Sequence, residues 1–189
     1  MKVRQSAMPE EALWVTFFDP PRILTRLLCD DPAATVVEFG CGYGTFTVAA
    51  AAVTSGQVHA FDIEPAMIEA TGRKVAAAGL RNVRLNCRDF VDDGTGLASA
   101  SADYAMLFNI LHAPEPVALL AEAFRILRPG GKAGIIHWNV AGTPRGPDAA
   151  IRPLPEQCRV WLEEAGFAVL LPPTSLPPYH FGLVGRKPP

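Results

Sequence analysis

The run at residues 35–45, TVVEFGCGYGT, constrains this chain more than any other feature. Its first half is β-branched and apolar and reads as a buried strand. The strand runs into Gly40, Gly42 and Gly44, and a glycine turn lets the backbone bend tightly and approach a ligand closely. The alanine-rich stretch at residues 45–53 then reads as a helix. Strand, glycine turn and helix together open an α/β domain, whose ligand site lies at the carboxyl ends of the early strands.

The rest of the chain repeats the alternation. Residues 57–61 form a second strand closed by Asp62, and Pro65 opens a helix that runs to about residue 78 and stops at Gly79. A third strand covers residues 82–87, a short irregular crossover residues 92–102 and a fourth strand residues 103–110. Residues 114–127 read as a helix, because Val117, Leu120, Phe124 and Leu127 fall on one face. Arg128-Pro129-Gly130-Gly131 ends it, and residues 132–138 form a fifth strand. A Pro/Gly-rich connector spans residues 139–153, long enough to suggest a functional loop. A helix at residues 155–165 and strands at 167–171 and 179–184 complete the chain. No helix separates those last two strands, so they pair antiparallel. The expected fold is α/β, a Rossmann-like three-layer sandwich with a seven-stranded, mostly parallel sheet whose last strand is antiparallel. Residues 1–34 form a leading helical segment whose aromatic stretch, Trp14, Phe17 and Phe18, ends at Pro20-Pro21, and residues 35–189 the ligand-binding domain of what is structurally one unit.

Composition narrows the partners. Of 189 residues, 17 are basic and 19 acidic, a formal charge of -2, which leaves no electrostatic footprint for nucleic acid or a membrane surface. Cys29, Cys41, Cys87 and Cys158 form no C-x-x-C pair, so they read as reduced thiols and not as a metal site. Residues 1–11 carry no apolar leader core, and the run at residues 46–53 is too short to span a bilayer. These features point to a soluble, cytoplasmic protein.

The glycine spacing discriminates between nucleotides. A dinucleotide loop needs glycine at positions 40, 42 and 45, and position 45 is Thr45. Glu38 would also repel a pyrophosphate beside it, whereas a sulfonium amino acid tolerates it. Residues 38–45 (EFGCGYGT), 61–63 (FDI), 88–90 (RDF) and 127–131 (LRPGG) together resemble the class I S-adenosylmethionine-dependent methyltransferases, over roughly residues 35 to 186. The resemblance implies that Gly40, Cys41, Gly42 and Gly44 pack against the methionine part of S-adenosylmethionine, with Glu38 helping to hold its amino acid end. It implies that Asp62 accepts the ribose hydroxyls, that Ile63 and Met67 pack on the adenine, and that Asp89 and the Phe90 N–H read the adenine edge. Asn109, ending the fourth strand, faces the methyl group or the amino acid end. Each has a plainer reading. Glu38 caps a helix, Asp62 and Asp89 make turns, Ile63 and Met67 fill core, and Asn109 is a satisfied strand-end amide.

Methyl transfer is an in-line displacement, dominated by alignment and exclusion of water. A base is needed only where the acceptor must lose a proton. His112 and His137 are the candidates, with His180 a weaker third. Trp14 and Phe17 of the leading segment, with His112 and Trp138, are candidates for the acceptor pocket, the segment acting as a lid. Arg145 and Arg152 of the connector would suit an anionic acceptor. The expected activity is methyl transfer from S-adenosylmethionine to an acceptor, with a small molecule favoured over protein or RNA, leaving S-adenosylhomocysteine. The alternatives are a non-catalytic holder of the cofactor, transfer of another part of it such as an aminopropyl group, and a nicotinamide-dependent oxidoreductase. Oligomeric state is not legible.

Overall fold

The glycine run follows a strand buried along its whole length, β1 (Val36–Phe39). A computed structural model describes residues 8–140, 142–144 and 146–189. The leading elements are α1 (Glu11–Trp14), a 3₁₀ turn (Val15–Phe17) and α2 (Pro20–Arg26). After β1 come α3 (Thr45–Val53), β2 (Val58–Asp62), α4 (Pro65–Ala77), β3 (Val83–Cys87), β4 (Ala102–Phe108), α5 (Pro116–Ile126) and β5 (Leu127–Trp138). The chain closes with α6 (Pro155–Glu164), β6 (Ala168–Leu176) and β7 (His180–Arg186).

Seven strands form one sheet in the order β3-β2-β1-β4-β5-β7-β6. The first five are parallel, and β7 runs antiparallel to both β5 and β6. Alternate side chains of each strand go to opposite faces, and two cores result. On one face Val37, Phe39, Leu107 and Ile135 meet Leu119, Leu120 and Ala123 of α5 and Leu162 of α6. On the other, Val36, Met106 and Ile136 meet Leu24 of α2 and Phe46 and Ala50 of α3. The strand order reverses at β1, which has β2 on one side and β4 on the other. The crevice of a doubly wound sheet opens at that switch point.

Three local readings need correction. Arg128-Pro129-Gly130-Gly131 does not separate helix from strand. It lies within β5, where Gly130 N–H donates to Lys187 O (2.9 Å) and Lys187 N–H donates to Gly131 O (2.8 Å). The tail of the chain supplies that pairing, so no local pattern announces it. The last hairpin is longer than its composition suggests, because β6 carries Pro172 and Pro173. It is the edge strand, where a missing N–H breaks no ladder bond. Pro20-Pro21 ends the aromatic stretch but also starts α2, with Asp19 as its cap (Arg22 N–H to Asp19 Oδ1, 3.3 Å).

Tyr104 ties the sheet to α2. Its hydroxyl is buried and donates to Leu27 O at 2.7 Å. A Cβ on Gly134 of the neighbouring strand would lie 2.0 Å from that hydroxyl oxygen. Gly134→Ala is therefore expected to destabilise the fold by roughly 1–3 kcal/mol through overpacking, measured as a lowered midpoint in urea. An unchanged midpoint would show that the ring can move without loss.

Candidate active site

The turn after β1 is built from backbone bonds that bend it toward β2. Gly40 N–H and Cys41 N–H both donate to Phe61 O, at 2.9 and 2.8 Å. Gly40 and Gly42 have φ of +79° and +52°, a left-handed conformation that glycine adopts without strain. Side chains there would also collide. A Cβ on Gly40 would meet Ile110 Cδ1 at 3.1 Å, and one on Gly42 would meet Met8 Sδ at 2.9 Å. The turn therefore forms one wall of a cavity of about 280 Å³. Gly44 differs in function. It precedes α3, and its Cβ would strike Thr71 of α4 at 2.8 Å, so it serves helix packing.

Carboxylates supply the charged part of this cavity's largely apolar lining. Glu38, Asp62, Glu64, Asp89, Asp92 and Glu115 line it, and the described lining residues include no lysine or arginine. Glu38 is buried under the turn and accepts from the Thr47 hydroxyl of α3. Burial pushes its carboxyl up to about 8, against the lowering effect of Thr47. Asp62 accepts Gly42 N–H at 2.8 Å with one oxygen and Glu64 N–H at 3.0 Å with the other. Its carboxyl is also raised, burial outweighing those bonds. Asp89 accepts from Val91 N–H (3.2 Å) and Asp92 N–H (3.3 Å), the geometry of an Asx turn.

The opposite wall comes from β4 and the leading segment. Asn109 ends β4 with φ of +57°, and both atoms of its side-chain amide are buried without a partner among the described residues. Native structures rarely leave such an amide unpaired, so it marks a place for a polar ligand. His112 lines the cavity too, and its Nδ1 lies 3.3 Å from Nε2 of the fully buried His137. Residues 8–14 lie across the glycine turn. Tyr43 hydroxyl donates to Pro9 O (3.2 Å), Trp14 Nε1–H donates to Thr45 Oγ1 (3.1 Å), and Glu11 pairs with Lys74 of α4.

Of the cofactor candidates, Glu38, Gly40, Cys41, Gly42, Asp62, Ile63, Asp89, Phe90 and Asn109 line this one cavity. Gly44 and Met67 do not, the first because it packs on α4 and the second because α4 carries it away from the mouth. Of the acceptor-pocket candidates, Trp14 and His112 line it. Phe17 and Trp138 are 3% and 2% exposed and pack on each other (ring centroids 5.4 Å) and on Tyr179 behind the wall. The 3₁₀ turn after α1 rotates Phe17 inward. His180 is likewise buried, against Trp138 and Phe18. Arg152 braces the connector by donating to Pro147 O (2.7 Å) and Asn139 O (2.8 Å), and lies outside the cavity lining. Arg145 lies outside the described residues. The sequence reading missed Met8, Thr45, Phe46, Val91, Phe108, Ile110 and Glu115 as lining. Thr45 and Phe46 follow the glycines and Phe108 and Ile110 flank Asn109, so adjacency was the available signal. Met8 carried none.

Comparisons with known proteins identify the family and the fold. The model of a methyltransferase domain family matches residues 36–131. Aklanonic acid methyltransferase DauC of Streptomyces sp. (strain C5) is 32% identical over 187 aligned residues, 85% of this chain and 83% of that protein. Ribosomal protein L11 methyltransferase of Methylococcus capsulatus is 38% identical over 104 residues, but this chain spans only 33% of its length. A SAM-dependent methyltransferase structure from Aquifex aeolicus superposes with a TM-score of 0.82 at 23% identity, covering 94% of this chain and 93% of that one. The [4+2]-cyclase SpnF superposes with 0.76 at 19% identity, covering 89% and 80%. At those identities the two structures speak for the fold alone. No helix among the described residues is long and apolar enough to cross a membrane.

The buried carboxyl predicts a pH signature. Glu38 holds its proton to about pH 8 when folded and releases it near 4.5 when unfolded. Its contribution to stability is complete below 4.5 and disappears as pH rises through 8. Glu38→Gln, which cannot ionise, should match the parent near pH 4.5 and melt progressively higher than it toward pH 8–9. Parallel melting curves across that range would show that Glu38 is ionised in the folded protein.

Proposed function

This chain belongs to the class I S-adenosylmethionine-dependent methyltransferases, and on that premise we propose that it methylates a small molecule held between the glycine turn and the leading segment. The observation that carries the reading is the cavity itself. It runs without interruption from the glycine turn to Trp14 and His112, is walled by carboxylates, and has residues 8–14 across its mouth.

S-adenosylmethionine is the cofactor of this family, and when bound it supplies an electrophilic methyl group on a positively charged sulfur. The residues present suit it. Gly40 and Gly42 leave the space that a side chain would fill, Asn109 offers an unpaired amide, and the acidic walls favour a cation over a pyrophosphate. That charge pattern disfavours a nicotinamide cofactor. We assign Glu38 and the backbone of Gly40, Cys41 and Gly42 to the amino acid end. We assign Asp62 to the ribose, where each of its oxygens keeps a further lone pair beyond its backbone bond. Ile63, Asp89 and Phe90 are assigned to the adenine, and Asn109 to the junction with the acceptor. Met8 and Trp14 exclude water and shape the acceptor space from above.

A small acceptor is supported by the likeness to DauC, whose name gives aklanonic acid as its acceptor, over most of both chains. The likeness to ribosomal protein L11 methyltransferase covers a third of that protein and supports only the shared domain. A non-catalytic holder would need no acceptor contacts, whereas Trp14 and His112 line the same cavity as the glycine turn.

Titration calorimetry tests the cofactor side. S-adenosylmethionine and S-adenosylhomocysteine should bind and NAD should not. Asp62→Ala should weaken S-adenosylmethionine by roughly ten- to a hundredfold, the scale of a lost charge-assisted hydrogen bond. Affinity unchanged by the substitution would remove the ribose assignment.

A further inference from the structure

We propose that His112 is the general base that deprotonates the acceptor, that His137 is the positioning residue that fixes its tautomer, and that the acceptor is therefore an uncharged protic oxygen, such as a phenol or enol. This inference rests on the methyltransferase reading and adds the class of nucleophile to it.

The two rings meet at 3.3 Å through Nδ1 of His112 and Nε2 of His137, at an interplanar angle of 73°. Hydrogen positions decide which of them donates. His137 is sealed from solvent, and its Nδ1 has no partner of ordinary hydrogen-bond geometry. The backbone of Trp138 is the one influence that favours a proton on the His137 ring, and because Nε2 meets His112 we assign that proton to Nδ1. Placing N–H on Nδ1 leaves Nε2 of His137 as an acceptor. His112 Nδ1–H then donates to it, and Nε2 of His112 keeps its lone pair for the cavity that the ring lines. A ring nitrogen oriented by its other nitrogen's hydrogen bond is the geometry a general base needs.

His137 cannot take the proton over. Burial holds its imidazole down to about 3, and His112, His180 and Arg152 add to that effect. Burial alone lowers His112, so it is a free base at neutral pH. The other ionisable groups on the cavity walls among the described residues are Glu38, Asp62, Glu64, Asp89, Asp92, Glu115 and the thiol of Cys41, which burial holds protonated. Glu38 is committed to Thr47, Asp62 to two backbone N–H groups and Asp89 to its turn. With no lysine or arginine among the described lining, a neutral acceptor suits these walls better than an anion.

In the transfer step the acceptor O–H bond breaks and its proton goes to Nε2 of His112. The freed electron pair on oxygen forms the new O–CH₃ bond. The S–C bond breaks with its pair staying on sulfur, which leaves neutral S-adenosylhomocysteine. The imidazolium, still donating Nδ1–H to His137, then loses its proton to water.

Two measurements test this. Nitrogen NMR of histidine-labelled protein should show His112 with its proton on Nδ1. His137→Phe should scramble that tautomer and His137→Gln should keep it. A proton on Nε2 of His112 overturns the base assignment, whatever the transfer assay gives. In labelled-methyl transfer to 1-naphthol, 1-naphthoic acid and 1-naphthylamine, only the naphthol should be methylated, with an acid limb below the ordinary histidine range. His112→Ala should lower kcat by roughly 10²–10⁴-fold with KM little changed. His137→Phe should lower kcat and move the limb to lower pH, because the imidazolium loses its acceptor, and His137→Gln should restore both. Wild-type turnover in His112→Ala, or transfer to none of the three with S-adenosylmethionine bound, overturns the proposal. Failure to bind S-adenosylmethionine at all would instead overturn the methyltransferase reading.

Discussion

One carboxylate joins the two strand ends on which the site depends. Asp62 closes β2 and accepts the N–H of Gly42 from the turn that follows β1. Strands β1 and β2 are already parallel neighbours in register, with Phe39 beside Phe61. The carbonyl of Phe61 takes two more N–H groups from the same turn. Thus β2 holds the loop from outside, Thr71 of α4 adds a bond to Gly42 O at 2.9 Å, and the loop's own contribution is Gly44 N–H to Cys41 O at 2.9 Å. A side chain that shapes the loop and also presents lone pairs to a ligand links rigidity to binding. It is pre-organised because its backbone partners hold it whether or not a ligand is present.

The same economy explains how a chain of ordinary net charge carries so acidic a cavity. Glu38 and Asp62 lie close enough that each raises the cost of ionising the thiol of Cys41, and Asp62 does the same to Glu38. A buried carboxyl with no cation near it holds its proton, because desolvation penalises the charged form. A cationic ligand reverses that balance. Glu38 therefore keeps its proton wherever no cation lies beside it. The same desolvation acts on the histidines on the far side, where burial, helped by the nearby charge of Arg152, keeps His137 and His180 neutral.

The part of the cavity around the glycine turn is legible in sequence because it is local. Strand, glycines, acidic strand end and second acidic turn each follow from residue type and spacing, and parallel pairing then gathers them at one edge of the sheet. The wall formed by the leading segment is not local. Met8 and Trp14 arrive from a segment tens of residues away, and only tertiary packing places them over Gly42 and Thr45. Trp138 and Phe17 looked equivalent to Trp14 as aromatic candidates, yet both went into the core, since which face a ring takes depends on a 3₁₀ turn and a connector that no periodicity encodes. The strand character of residues 127–131 was hidden for a related reason, its partner being the end of the chain.

His112 and His137 were visible as two separate candidates but not as a pair. Their meeting follows from register. Phe108 of β4 lies beside Ile136 of β5, and Asn109 N–H donates to Ile136 O at 2.8 Å, so His137 emerges next to the end of β4. The turn through residues 110–113, closed by Ala113 N–H on Ile110 O at 3.0 Å, brings His112 back over it. The fold alone does not decide what happens at this corner, because one architecture hosts many chemistries and its reactions are set by the side chains at the strand ends. The likeness in fold to a [4+2]-cyclase illustrates the point, since a superposition covering most of both chains leaves their reactions unassigned. In this chain the corner holds a histidine pair at the edge of a cavity whose charged lining is acidic. Its fully buried member lies behind the wall and its partner lines the space beside the unpaired amide of Asn109.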